Sequence, residues 1–191
     1  LELSSAASDV YKRQVLTFDG GVTTTGVGGT VTLNGDVVTS ADAATFGALT
    51  LAGASSIDTT NGALTLGAVT GAGSSLSLDA GTGGSITGTT VAGVSDLVIV
   101  DGDSTTTAVD FSGAVTTTSS IDLNGTQGGT YTFDGVVTTP TLTTNVANDG
   151  NGAFALTLNG GTSITNAVAF DNTVALTLVG TTADQLSLIH I

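Results

Sequence analysis

Aspartate is the only residue type in residues 15–185 whose side chain could serve as an acid, a base or a charged metal ligand. This segment contains fourteen Asp and no Lys, Arg, His, Cys or Glu. Lys12, Arg13 and His190 are the only cations and the only histidine of the chain, and all three lie outside it. A serine nucleophile normally needs a base such as His or Lys, and zinc sites need Cys or His. We therefore expect no enzyme activity and no cofactor in residues 15–185.

Two aspartates close together in sequence, Asp101 and Asp103, could present two acids on one face, as a glycosidase requires. They lie in the sequence DGDS, which is also typical of an acidic turn. The turn is the favoured interpretation.

Calcium is the one ligand for which the carboxylates give a reason. The sequence repeat described below places Asp58 over Asp79, and Asp149 over Asp171, one coil apart. Like charges at that separation repel each other, and a cation would relieve the repulsion. Neither a Gly-rich nonapeptide array nor an EF-hand loop is present. These four residues are therefore weak calcium candidates, and solvated side chains remain the favoured interpretation.

Both ends of the chain resemble translated sequencing adapter. The sequence DVYKRQ (9–14) back-translates to gat gtg tat aag aga cag, and SSAAS (4–8) fits the rest of the same primer. The reverse complement of that primer translates to LSLIHI, which is the sequence of residues 186–191. We interpret 1–14 and 186–191 as adapter-derived and not native, and leave them out of the fold argument. We expect the native part to be an internal fragment of a longer reading frame.

The charge balance restricts the possible partners. The formal net charge is −14, and phosphate binding needs Lys or Arg, so we expect no nucleic-acid partner. Anionic membrane surfaces are disfavoured for the same reason. The longest dense apolar run, LVIV at 97–100, is too short to span a bilayer, so we expect no direct membrane insertion. The absence of Cys excludes disulfides and thiolate chemistry.

The elements that carry these residues are predicted by an internal repeat. Apolar residues recur about every 21 residues, at Val37, Ile57, Leu78, Ile99, Ile121, Leu142 and Ile164. A second series lies twelve residues further on, at Leu49, Val69, Thr90, Phe111, Phe133, Phe154 and Leu176. Between these positions the side chains alternate as in a strand, with Val109 and Phe111 on one side and Asp110 and Ser112 on the other.

This period predicts an all-β fold, a right-handed parallel β-helix (β-solenoid) of about eight coils of 20–22 residues over 15–185. Thr and Val favour strands, whereas Gly, Asn and Asp favour turns. The right hand follows from the usual rule for parallel strand connections. The alternative is an antiparallel sandwich, whose strands recur every 8–12 residues and have no reason to repeat in phase every 21. Since composition does not change along 15–185, we expect one continuous solenoid.

Threonine runs raise one further possibility. The sequence TTT occurs at 23–25, 105–107 and 116–118, and a regular threonine ladder would suit an ice-binding surface. These runs do not recur at one column of the repeat. The sequence therefore favours solvent-facing strand threonines without a binding role.

The repeats NGALTLGAVTGAGSSLSLDAG (61–81) and AFALTLNGGTSITNAVAF (153–170) resemble the large β-strand-repeat exoproteins of bacteria, which include filamentous-haemagglutinin-like proteins and autotransporter passengers. The resemblance covers nearly all of 15–185 in style and period, but it brings no signature residues. It implies a β-helical stalk at the bacterial cell surface or in the medium.

On this basis we expect a structural or adhesive stalk, secreted or held at the cell surface, whose surface ligand is an unknown carbohydrate or protein. The alternative is that these are non-catalytic coils of a polysaccharide-active β-helix enzyme. Known β-helix enzymes of that kind use Arg, Lys or His beside their acids, and residues 15–185 have none.

Overall fold

The computed structural model describes residues 14–101, 108–125, 128–144, 153–172 and 174–180. Every regular element in these segments is a β-strand. None of the described segments contains a helix that could cross a membrane.

The strands form three faces, which we call A, B and C, and each complete coil contributes one strand to each face. Face B consists of β2 (Val22–Thr23), β5 (Ala44–Phe46), β8 (Leu64–Leu66), β11 (Ile86–Gly88), β13 (Ala108–Phe111), β15 (Thr130–Phe133), β18 (Ala155–Leu158) and β20 (Ala175–Leu178). Face C consists of β3 (Val31–Leu33), β6 (Leu49–Leu51), β9 (Val69–Thr70), the first parts of β12 (Val91–Asp101) and β14 (Val115–Gly125), β16 (Val137–Thr139) and β19 (Thr162–Ile164). Face A consists of β1 (Gln14–Phe18), β4 (Gly35–Thr39), β7 (Ser55–Asp58), β10 (Leu76–Asp79), the second parts of β12 and β14, and β17 (Thr141–Thr143).

All pairings between these strands are parallel and join one coil to the next. Face B is an eight-stranded sheet in the order β2-β5-β8-β11-β13-β15-β18-β20. Faces A and C join into a 12-stranded sheet, because β12 and β14 each continue from face C into face A. The stack is a parallel β-solenoid of about seven turns, consistent with the right-handed parallel β-helix predicted from the sequence. Successive strands of face B are one turn apart, so its first and eighth strands are separated by seven turns. This is why about seven turns are observed where eight coils were expected.

The core lies inside the three faces and is formed by the inward residues of each strand. In β10 the inward Leu76 and Leu78 are buried, whereas Ser77 and Asp79 are half-buried on the outside. The predicted alternation is confirmed around Phe111, because Val109 and Phe111 are buried and Asp110 and Ser112 are exposed. Inward side chains of successive coils therefore stack into apolar ladders, which bury the largest part of the hydrophobic surface.

Aromatic rings fill the middle of the core. The rings of Phe111 and Phe133 are stacked, with centroids 5.6 Å apart and an interplanar angle of 7°. The preceding rung of that ladder is Gly88, which pairs with Phe111. A Cβ added at Gly88 would collide with the Phe111 ring, so the missing side chain makes room for the aromatic one.

The predicted ladder is correct up to Ile99, wrong at the step from Ile99 to Ile121, and correct again at the step from Ile121 to Leu142. The observed pairs up to this point join Val37 to Ile57, Ile57 to Leu78, and Leu78 to Ile99. The next partner of Ile99 is Leu123, whereas Ile121 pairs with Leu97. In the same two strands Asp96 and its partner Ser120 are 24 residues apart, so this coil is longer than the sequence repeat predicted.

The aromatic series was also assigned to the wrong rung at its later end. Phe133 pairs with Leu158, while Phe154 is buried against Tyr131 with ring centroids 4.6 Å apart. Phe154 therefore packs beside the ladder of Phe111 and Phe133 and does not extend it.

The predicted position of Ile164 is wrong for a similar reason. Ile164 pairs with Thr139 on face C, and does not continue the ladder of Leu142. Asp134 and Asn159, which are hydrogen-bonded across this coil, are 25 residues apart. This coil too is therefore longer than predicted.

The second predicted series combined residues from two faces. Leu49 pairs with Val69 on face C, and Val69 pairs with Val91 rather than with Thr90. Phe111 lies on face B. Because the coils differ in length, the residues of faces B and C do not follow one common repeat of about 21 residues.

Candidate functional site

The acidic residues at the corner between faces A and B form the candidate site that the sequence singled out. Asp58 ends β7 and Asp79 ends β10, and the two residues pair directly across adjacent coils. The predicted stacking of Asp58 and Asp79 is therefore confirmed.

Each of these carboxylates is used by the turn that follows it. Asp58 Oδ1 accepts a hydrogen bond from the Thr60 backbone N–H at 2.7 Å, and Asp79 Oδ1 accepts one from the Gly81 N–H at 2.8 Å. Thr60 has a φ of 60° and Gly81 a φ of 64°, so the turn requires a left-handed residue at this position. A side-chain acceptor two residues earlier is the usual partner of such a turn.

Buried threonines support the same corner from inside. Thr39 and Thr59 have no exposed surface, and each hydroxyl donates to the carbonyl oxygen three residues later, Asp42 O at 2.5 Å and Gly62 O at 2.6 Å. Thr60 also donates to the Thr39 carbonyl of the preceding coil at 2.7 Å. The corner is therefore built from local hydrogen bonds that repeat from coil to coil.

The electrostatics of the pair are unfavourable. Burial raises the pKa of Asp79, the Gly81 N–H lowers it, and the negative charge of Asp58 raises it further, with a net rise. The pair gains no third acidic ligand, because no group of three or more His, Cys, Asp or Glu side chains suited to a metal occurs within the described segments. The pair acts as two turn-capping carboxylates that repel each other.

The second predicted pair, Asp149 and Asp171, stays a prediction. Asp171 is exposed, and its backbone N–H donates to Thr144 Oγ1 at 2.9 Å. Its expected partner Asp149 lies outside the described residues. Asp103 also lies outside them, so the interpretation of Asp101 and Asp103 as an acidic turn stays a prediction.

Sequence reasoning missed a network of serines that binds the other carboxylates on face A. Ser56 donates to Asp36 Oδ1 at 2.8 Å across one coil. Ser120 is placed between Asp96 and Asp122, with 3.0 Å to a carboxylate oxygen of each. Hydrogen bonds from Ser119 and Ser95, and to a smaller extent Ser120, lower the pKa of Asp96. The pairing of Asp and Ser at the same column was visible in the sequence only once the register was known.

Ser56 and Asp36 also line a groove on face A, together with Ser55, Ser75 and Ser77. A serine beside a carboxylate lacks the imidazole or amine that would accept its proton at neutral pH. The arrangement can accept and donate hydrogen bonds to a polar ligand, but it does not provide an activated nucleophile.

No protein-family model matches the chain, and neither a curated protein nor a solved structure is significantly similar to it.

Proposed function

We propose that residues 15–185 are a non-catalytic stalk segment of a large secreted or cell-surface bacterial protein, with a structural or adhesive role. The observation that supports the proposal is the unbranched stack of coils. Face B continues through eight strands without a break in order, and each strand is bonded only to the strands of neighbouring coils. A solenoid of this kind grows in length by adding coils and spans distance with few residue types.

The dimensions fit a spacer. Seven steps at the strand spacing give a length of about 34 Å for the described part. Because every coil pairs with the next one through parallel backbone hydrogen bonds, a force along the axis is shared by all three faces.

The chemistry of the exterior supports the absence of catalysis. The native segment provides Asp, Ser, Thr and Asn but no His, Lys or Arg, so its side chains offer hydrogen bonds and negative charge only. A carbohydrate or a protein surface is the ligand class that such groups would bind. We propose no nucleic-acid partner, no membrane insertion and no cofactor for this segment.

The decisive experiment is recovery of the coding sequence that flanks this segment in its source DNA. A secretion signal, further coils of the same kind or an outer-membrane anchoring domain would support the stalk. A neighbouring group of coils carrying Arg, Lys or His beside paired carboxylates would instead identify a polysaccharide-active enzyme and overturn the proposal.

A biochemical experiment tests the same proposal on the protein. The purified chain is immobilised and offered a panel of polysaccharides and host extracellular proteins, while the release of reducing ends is measured in solution. We expect binding or no binding, but no new reducing ends. Release of reducing ends that disappears in D36N or D122N would contradict the non-catalytic role.

A further inference from the structure

Face C carries a column of outward threonines that the sequence did not reveal. The register stacks Thr32 on Thr50 and Thr50 on Thr70, and continues through Ala92 to Thr116. The last two steps lead to Thr138 and Ser163. The column therefore has one residue in each of seven consecutive coils. Threonine presents a hydroxyl and a methyl group, Ser163 presents a hydroxyl alone, and Ala92 presents a methyl group alone. None of the TTT runs predicted this column, because only one residue of a single run, Thr116, belongs to it.

A second outward column lies two residues earlier on the same face. Backbone hydrogen bonds join Val31 to the carbonyl of Ala48, Leu49 to that of Ala68, and Val69 to that of Thr90. The column continues through Ala114 and Val136 by the same pattern, whereas Gly161 at the next step is buried. Face C thus presents two parallel rows of small side chains, about 4.8 Å apart between coils and about 6.7 Å apart along the strand.

Neither row contains an ionisable residue, although the chain carries a net charge of −14. The exposed Asp134 lies at the edge of this surface, in the connection between faces B and C. The outward positions of face A hold Asp36, Asp58, Asp79, Asp96 and Asp122, and face B has Asp110 in its threonine column.

The connections leave face C accessible. From β5 onwards, only two or three residues link a face B strand to the next face C strand. Glycines occupy this corner, where a Cβ at Gly67 would lie 2.6 Å from the Gly47 carbonyl oxygen. The two longer coils, of 24 and 25 residues, keep a connection of only three residues between faces B and C.

We propose that face C binds ice. The surface of an ice crystal is an uncharged, two-dimensional lattice of water molecules whose repeat is close to the spacing between strands. Threonine hydroxyls at that spacing can replace lattice waters, and the methyl groups between them disfavour disordered water. Charged side chains would hold strongly bound water that ice cannot accommodate, so their absence from face C favours this ligand. The proposal goes beyond the stalk function and does not depend on it.

Face B provides the internal comparison. Its outward column runs Thr23, Thr45, Thr65, Thr87, Asp110, Thr132, Thr157 and Thr177. It has more threonines than face C, but Asp110 places a charge in the middle. A comparison of the two faces therefore distinguishes whether ice binding depends on the number of threonines or on the absence of charge.

The experiment measures thermal hysteresis, inhibition of ice recrystallisation and partition into growing ice for the purified full chain. Thr116→Tyr adds an uncharged bulky side chain to face C in a residue type that strands favour. Thr132→Tyr makes the same change on face B and is the matched control. We expect the unmodified chain to be active, T116Y to lose most of the activity and T132Y to retain it, with circular dichroism unchanged in both.

A variant that is expected to raise the activity tests the proposal without a disruptive substitution. Ala92→Thr completes the hydroxyl column of face C, and we expect it to raise the activity, whereas Asp110→Thr on face B should leave it unchanged. Absence of activity in the unmodified chain, loss in T132Y alone or gain in D110T alone would overturn the proposal. So would sedimentation showing that face C instead joins two copies of the chain, with a dimer that T116Y dissociates and no effect of any variant on ice.

Discussion

At the scale of single residues, Asp79 and Asp96 show opposite effects of the same side chain type. Burial and the nearby charge of Asp58 raise the pKa of Asp79, so its ionised form destabilises the fold at neutral pH. Serine hydroxyls lower the pKa of Asp96, so its ionised form is stabilising. The difference arises because Asp96 has hydrogen-bond donors around it and Asp79 has another carboxylate.

This contrast predicts stability changes of opposite sign. Asp79→Asn keeps the oxygen that accepts from Gly81 and removes the repulsion, so it should raise the free energy of unfolding at pH 7 by about 0.2–1 kcal/mol. Asp96→Asn should lower it. Urea denaturation followed by circular dichroism measures both, and a double variant D58N/D79N should gain less than the sum of its single variants.

The pH dependence follows from the same shifts. Because the folded pKa of Asp79 is raised, the folded state takes up a proton before the unfolded state does, and this residue adds stability as pH falls through its folded pKa towards the ordinary value. Asp96 acts in the other direction, since its contribution is present above the ordinary pKa and is lost as pH falls through the lowered one. D79N should therefore weaken the acid-side gain, and equal pH profiles for D79N and the unmodified chain would contradict the assigned repulsion.

Gly88 is the residue on which the aromatic core depends. Gly88→Ala places a Cβ against the Phe111 ring, which must move within a core that is already filled. We expect a loss of about 1–3 kcal/mol in unfolding free energy. Gly28→Ala is the matched control, because a Cβ there has no neighbour within 4 Å, and its effect should be small. Equal effects of the two substitutions would show that backbone freedom, and not ring packing, is the reason for Gly88.

At the scale of the strand, β10 separates inside from outside in four residues. Leu78 has 0% exposure and lies between Ile57 and Ile99 in its ladder, while its neighbour Ser77 points outward. Leu78→Ala should lower the unfolding free energy by about 2–5 kcal/mol. Ser77→Ala changes the same strand by one residue and should remain within about 0.5 kcal/mol of the unmodified chain. A comparable loss in both variants would mean that strand pairing, rather than the ladder, limits stability.

The strand scale also explains where prediction from the sequence failed. Side chains alternate with a period of two, so a register error of two residues still brings an apolar residue to the inside. Ile121 and Leu123 are both inward in β14, and either could follow Ile99 in a ladder. Only the length of that coil decides between them. The coil includes a connection that contains no apolar residue, so its length could not be predicted from the apolar pattern.

At the scale of the whole molecule, the two ends of the stack differ from its middle. The last described coil exposes Val174, Leu176, Leu178 and Val179, by 60%, 39%, 37% and 45%. At the other end Val15 is 57% exposed. Strands at such ends can pair with strands of another chain.

We therefore expect the purified chain to associate end to end when its charge is reduced. A net charge of −14 opposes association at low salt, but the repulsion is screened beyond about 8 Å at physiological ionic strength. Light scattering should show growth as salt rises or as pH falls towards the isoelectric point near 4.1. A particle that remains monomeric under all of these conditions would show that the ends are protected.

The terminal segments are tested by deletion. We propose that 1–14 and 186–191 are adapter-derived, and Gln14 is the only one of these residues within the described structure, where it pairs with Gly35. Removal of both segments should leave the β-sheet signal in circular dichroism unchanged. Loss of that signal would contradict the adapter interpretation and would make the ends part of the fold.

The sequence by itself determined the all-β class, the solenoid and the division of each strand into inward and outward residues. Alternation and the repeat period are local properties that apolar side chains such as Leu78 and Phe111 report directly. Only the tertiary structure decided which residues stack across the longer coils, because coils of unequal length change the register without changing the alternation. The acidic pair of Asp58 and Asp79 lies between coils of similar length and was predictable. The threonine column of face C extends across the longer coil that joins β12 to β14, so it becomes visible only when every coil is aligned in space.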